Sequence, residues 1–188
     1  MLLVFTGQVN MIKFLLASIL LLSIGAQAQS APSNITVKIV GYSEAFERKV
    51  PGISEKAICF RVDMVDVVTG LKVGNAVDCL SEITPQDSGG VTVLGTTFFK
   101  FKEGKIVSRG RITIKPVEVQ TNVGGLNVTH ITGAATESSN IVKSDGLFED
   151  ATGNVRLSGM VDMSGFAGNV GDKIGFNCIF TISNLAID

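Results

Sequence analysis

The chain has 188 residues, with 16 Lys and Arg against 17 Asp and Glu and a formal net charge of −1. No basic cluster or charged block interrupts it, which excludes nucleic acid and anionic membrane surfaces as principal partners. Tryptophan is absent and Tyr42 is the single tyrosine, so an aromatic platform for sugars is excluded as well.

Near the start, Lys13 precedes an apolar run from Phe14 to Ile24, followed by Ala26-Gln27-Ala28. A short positive region, an apolar segment too short to span a bilayer comfortably and an A-x-A site together describe a cleavable signal peptide over residues 1–28. Met11 is a better start for it than Met1. No cysteine follows the run, so a lipid anchor is not indicated. The expectation is an exported protein, periplasmic or secreted, with no membrane attachment after cleavage. Residues 29–188 suit one domain with a sizeable core.

Period-two patterning then recurs through the chain, and no helical pattern of useful length appears. The predicted strands are Ile35 to Tyr42, Ala57 to Val68, Leu71 to Ile83, Val91 to Lys102, Lys105 to Gln120, Val128 to Glu137, Ile141 to Phe148, Val155 to Ser164 and Lys173 to Ser183. Turn chemistry separates them at Thr69-Gly70, Asp87 to Gly90, Glu103-Gly104, Asn122 to Gly125, Thr152-Gly153 and Gly165 to Gly171. Regular spacing of this kind marks an all-β antiparallel barrel or sandwich. The phase also assigns faces. Ile106, Ser108, Gly110, Ile112 and Ile114 share one side, as do Val155, Leu157, Gly159, Val161 and Met163. Glycines on the buried face fit strand curvature in a closing sheet.

Three cysteines in an exported chain raise the question of a bridge. A three-residue Val68-Thr69-Gly70 loop, with glycine at the left-handed position, places Cys59 and Cys79 directly opposite each other, ready for a disulfide. A two-residue Thr69-Gly70 turn slips the register and puts them on opposite faces. Cys178 is in phase with Ile174, Phe176, Phe180 and Ile182, and reads as a buried thiol acting as a small hydrophobe.

Four segments resemble the dirigent and allene-oxide-cyclase-like barrels over about Ala57 to Leu185. They are the hairpin ending Gly74-Asn75-Ala76-Val77-Asp78-Cys79, the Phe99-Lys100-Phe101-Lys102-Glu103-Gly104-Lys105-Ile106 turn, Thr132-Gly133-Ala134, and Gly146 to Ser164. The last carries a glycine-punctuated G-x-F-x-x-A-x-G signature. The resemblance implies a closed antiparallel barrel of about eight strands with an apolar interior, assembled as dimers or trimers. It also implies a small hydrophobic or phenolic ligand, which some members cyclise or couple. Tyr42-Ser43-Glu44-Ala45-Phe46 aligns with the cyclase catalytic segment only with one residue inserted. Glu44 then takes the glutamate's place, and Phe46 replaces an asparagine that could hold a water.

Other chemistry is sparse. Asp66 is in phase with Ile58, Phe60, Val62 and Met64, but its place beside the hairpin turn favours a rim position. His130 and Glu137 read as surface strand residues. The lone histidine has no partner at zinc-ligand spacing, so no metal site is expected, and no motif implies a cofactor.

The function expected is an exported barrel binding a small hydrophobic molecule in its interior, with Phe99 and Phe101 lining the pocket or core. The alternatives are a cyclase or isomerase acting on an apolar substrate, and a non-catalytic structural or interaction protein with a solid barrel. A ligand-sized void inside the barrel separates the first two from the third.

Overall fold

Alternating β-branched and aromatic residues favour extended backbone that buries one face, and nearly every described residue outside the turns is in a strand. The computed structural model describes residues 33–87, 89–116, 128–134 and 139–187. The expected leader over 1–28, Glu137 and the strand extension to Gln120 lie outside these residues. The strands are β1 (Ile35–Glu44), β2 (Phe46–Lys49), β3 (Lys56–Asp66), β4 (Lys72–Pro85), β5 (Val91–Phe101), β6 (Gly104–Pro116), β7 (Val128–Ala134), β8 (Ile141–Gly146), β9 (Thr152–Gly165) and β10 (Lys173–Ala186).

Ten strands make an eight-position closed antiparallel barrel, because two positions are each filled by two strands in series. β1 pairs the end of β3, through Val37 opposite Asp66, while β2 pairs its beginning, through Phe46 opposite Cys59. The break falls at Ala45, whose N–H donates to the Asp172 carbonyl at 2.7 Å. In the same way β7 and β8 occupy successive parts of one edge of β6. β1 pairs both β10 and β3, and that double pairing closes the ring.

Where β8 draws away from β9, side chains replace the ladder. Asn140 accepts from the Val155 N–H at 2.7 Å and donates to the Val155 carbonyl at 3.0 Å. Ser139 and Ser144 hydroxyls accept from the N–H groups of Gly153 and Ala151. The turn into β9 lies at 147–150, so Thr152 and Gly153 are already strand; Asp150 carries the positive φ of 56°.

The inward face holds Val37, Ile39, Phe60, Val62, Met64, Phe99, Ile106, Val155, Leu157, Phe176, Phe180 and Ile182, all buried. A second apolar cluster lies on the outer wall. Val50 and Ile53, from the segment between β2 and β3, cover Ala57, Cys59 and Cys79. Arg109 ties that segment down, donating from Nη2 to the Pro51 carbonyl at 2.5 Å and from Nε to Thr96 Oγ1 at 3.1 Å.

Cys59 and Cys79 are bridged. The turn that aligns them is longer than the sequence suggested. Asp66 N–H donates to the Leu71 carbonyl at 2.9 Å and Gly70 N–H to the Asp66 carbonyl at 2.9 Å, enclosing residues 67–70. A register shift follows, with Val65 opposite Lys72 but Met64 opposite Gly74. Val73 is the extra residue of this bulge, and it restores the phase that a four-residue loop would otherwise lose.

Candidate functional site

The barrel axis is filled. Phe180, Phe99, Phe101 and Phe148 form an aromatic file, with ring centroids 5.0 Å apart for Phe99–Phe180, 6.4 Å for Phe99–Phe101 and 5.5 Å for Phe101–Phe148. Phe60 packs edge-on against Phe176 at 5.5 Å and against Phe166 at 5.7 Å. Phe166 comes from the β9–β10 turn, so the end of the barrel at that turn is plugged. A cavity of about 20 Å³ lies inside the wall, bounded by Gly95, Thr97, Ser108, Gly110, Gly133 and Asn140 among others. That is room for one water.

Among the described residues, one carboxyl group faces this interior. Asp78, Thr97 and Ser108 stand opposite one another across β4, β5 and β6, and all three are buried. Thr97 donates its hydroxyl to Asp78 Oδ1 at 2.7 Å. Burial pushes the Asp78 carboxyl up to about 6, against the lowering effect of the Thr97 hydrogen bond. Thr97 lines the water-sized cavity, which places Asp78 one hydrogen bond from it. Sequence reasoning passed over Asp78, although the signal was there. It is in phase with Ala76 and Leu80, which are buried in the barrel core.

Larger space lies at the end of the barrel where β1 begins and the β3–β4 and β5–β6 hairpins turn. An open cleft of about 520 Å³ is lined there by Ile35, Val37, Val73, Phe101, Leu147 and Phe148, with Asp66, Lys72, Lys102 and Glu103 at its margin. Val37 and Phe148 belong to the barrel core, so the cleft floor is continuous with it. Leu147 is fixed by its N–H, which donates to the Glu103 carbonyl at 2.9 Å. Its volume falls within the range of small-molecule sites, about 300–1,000 Å³. A hollow of about 510 Å³ also lies on the outer wall, bordered by Lys38, Arg156, Asn177 and Thr181 with Val67 and Ile179 among them.

Of the aromatic pair expected at a pocket, Phe101 lines the cleft, whereas Phe99 is 1 % exposed and belongs to the core. Asp66 is at the rim, where its Oδ1 accepts from the N–H groups of Val68 and Thr69 and from the Thr69 hydroxyl. These bonds, the Thr69 N–H first, hold its carboxyl below the usual range. Glu44 ends β1, at the opposite end of the barrel from the cleft. It is exposed and pairs with Lys173 at 3.3 Å. His130 is exposed on the outer wall, opposite Lys115 and Met160. Among the described residues no three His, Cys, Asp or Glu side chains gather as metal ligands.

Cys178 is buried and free, and its Sγ donates to the Met160 carbonyl at 3.5 Å. Burial pushes its thiol up to about 12; a hydrogen bond with the Asn177 backbone opposes that rise and the charge of Asp78 adds to it. A thiol in that state is not a nucleophile.

No family model matches this chain, and no curated protein sequence matches it. Among solved structures, pyocyanin demethylase superposes with a TM-score of 0.44 and 13% identity, covering 81% of this chain and 99% of that one. A nonspecific heme-binding cyclase, described as catalysing a 4 + 2 cycloaddition during neoabyssomicin biosynthesis, superposes with a TM-score of 0.36 and 12% identity. It covers 78% of this chain and 64% of that one.

Proposed function

We propose that this is an exported barrel protein that holds a small, largely apolar molecule in the cleft at its open end, and not along its axis. The observation that carries this is the distribution of space: about 520 Å³ at the end, on an apolar floor, against about 20 Å³ inside. Phe101, with Phe148 packed behind it, supplies aromatic surface to the ligand, and the charged margin keeps its polar end in water. The disulfide supports export, since such bridges persist in oxidising compartments. Kinship with the dirigent and allene-oxide-cyclase-like barrels, including assembly as dimers or trimers, belongs to the same proposal and rests on the sequence segments alone. No catalytic step is proposed, because Glu44 lies at the far end and is engaged with Lys173.

Titration with the apolar fluorophore N-phenyl-1-naphthylamine tests the cleft. Saturable one-to-one binding is expected in the wild type. Val73→Trp, which fills the cleft from its rim, should weaken it by about tenfold or more. Wild-type protein that does not bind the probe, or a Val73→Trp variant that binds it undiminished, would count against the cleft.

A further inference from the structure

The β3–β4 hairpin beside the cleft has an unusual tip. Val67, Val68 and Leu71 are 44 %, 88 % and 69 % exposed, and no charged residue lies among residues 67–71. Large aliphatic side chains clustered on a turn are unexpected for a surface that meets only water.

The backbone of the tip is tied up internally. Asp66 Oδ1 accepts from the N–H groups of Val68 and Thr69 at 3.1 and 2.7 Å. The Asp66 carbonyl takes the Gly70 N–H at 2.9 Å, and Thr69 Oγ1 takes the Leu71 N–H at 3.3 Å. Four successive donors are therefore satisfied without water, which removes much of the cost of bringing the turn into an apolar medium. At the base, Lys72 is neutralised by Asp63 at 2.6 Å. Lys102 and Glu103, of opposite sign, sit on the adjoining hairpin at the same end.

We infer that this tip inserts its three aliphatic side chains into the interface of a lipid bilayer, seating the open end of the barrel on the membrane surface. A bilayer suits the tip better than a protein does. Five residues are far fewer than the roughly 20–30 per side of a stable protein interface, whereas shallow insertion of a few aliphatic groups gives the weak, reversible attachment of peripheral proteins. The attraction is apolar, so it does not depend on anionic lipid and salt does not reverse it. The cleft opens at the same end. If the cleft holds an apolar ligand, that ligand passes between lipid and cleft with little exposure to water; this last step alone rests on the proposed function.

The chain has no tryptophan, so Val68→Trp is a single reporter at the tip, and Tyr42→Trp is a matching reporter on the barrel wall near the opposite end. With phosphatidylcholine vesicles, the Val68→Trp emission should shift to the blue at both low and high salt, and the Tyr42→Trp emission should stay in place. Co-sedimentation of the otherwise unaltered protein with the same vesicles should fall by about tenfold or more when Val68→Asp and Leu71→Asp are combined. Val73→Trp, which fills the cleft, should sediment no less than wild type, so a failure of the cleft and a failure of the tip are distinguishable. An unmoved Val68→Trp emission at saturating lipid overturns the inference. So does an equal shift of both reporters, or a Val68→Trp shift that follows protein concentration without lipid, which would assign the tip to self-association.

Discussion

Asp78 and Thr97 face each other inside the barrel, where the Thr97 hydroxyl donates to Asp78 Oδ1 at 2.7 Å and, among the described residues, no basic side chain balances the carboxylate. The folded protein therefore binds the Asp78 proton more tightly than the unfolded chain does. Its pKa of about 6 lies above the unfolded value of about 3.9, so its contribution to stability is complete below about pH 4 and is lost as pH rises through about 6. Two units correspond to on the order of 2–3 kcal/mol. The partly exposed carboxyls of Asp66, Asp145 and Asp172 shift downward and act in the opposite direction. The informative quantity is therefore the difference between Asp78→Asn and wild type. Urea denaturation across this range should show that difference moving in favour of the variant as pH rises; a difference independent of pH would contradict a buried, titrating Asp78.

The bridge between Cys59 and Cys79 closes a loop over a sequence separation of 20. Reduction should cost roughly 3 kcal/mol by chain entropy. The cluster of Val50, Ile53 and Ala57 over the bridge is distinct from the barrel core. Far-UV circular dichroism of the reduced protein should therefore retain the β signal below its lowered denaturation midpoint. Collapse of that signal on reduction in buffer would mean that the barrel depends on the outer cluster.

Cys178 should behave as core. Ellman's reagent should find no reactive thiol in the native protein and one per chain after unfolding without reductant. Rapid native reaction would contradict its burial and its raised pKa.

Much of this architecture was legible in the chain because each strand buries one face and alternation survives in the sequence. Ile106, Ile112 and Ile114, like Val155, Leu157 and Val161, are buried on the face their phase assigned. Met163 is only partly buried, packed against the core's edge. Short and interrupted elements were not legible. β2 is Phe46-Glu47-Arg48-Lys49, whose three charged residues hide a strand that exists by pairing with β3. The Val73 bulge left no local mark, so the cysteine register rested on a choice between two turn lengths when the real loop is four residues. The cleft was illegible for another reason. It is assembled from strand ends and turns far apart in sequence, and of its aromatic residues only Phe101 had been singled out for a pocket.

Gly159 shows what an inward glycine does in this wall. A methyl there would strike the Cys178 backbone and the Asn177 carbonyl, whereas one at Gly110 would meet only Asn140 Nδ2 at 3.4 Å. Gly159→Ala should cost about 1–3 kcal/mol, and Gly110→Ala, which fills the water-sized cavity, should cost much less. Equal losses in thermal denaturation would contradict the close approach of β10 to β9.

The proposed function stands or falls with the location of the ligand. Amide chemical-shift mapping of the ¹⁵N-labelled protein during titration with N-phenyl-1-naphthylamine tests it directly. Saturable shifts are expected at Val73, Lys102 and Leu147, with Gly95, Gly110 and Cys178 unmoved. Shifts centred on Gly95, Gly110 and Cys178 would put the ligand inside the barrel, and shifts centred on Lys38, Ser158 and Thr181 would put it on the outer wall; either result would rule out the end cleft as the binding site.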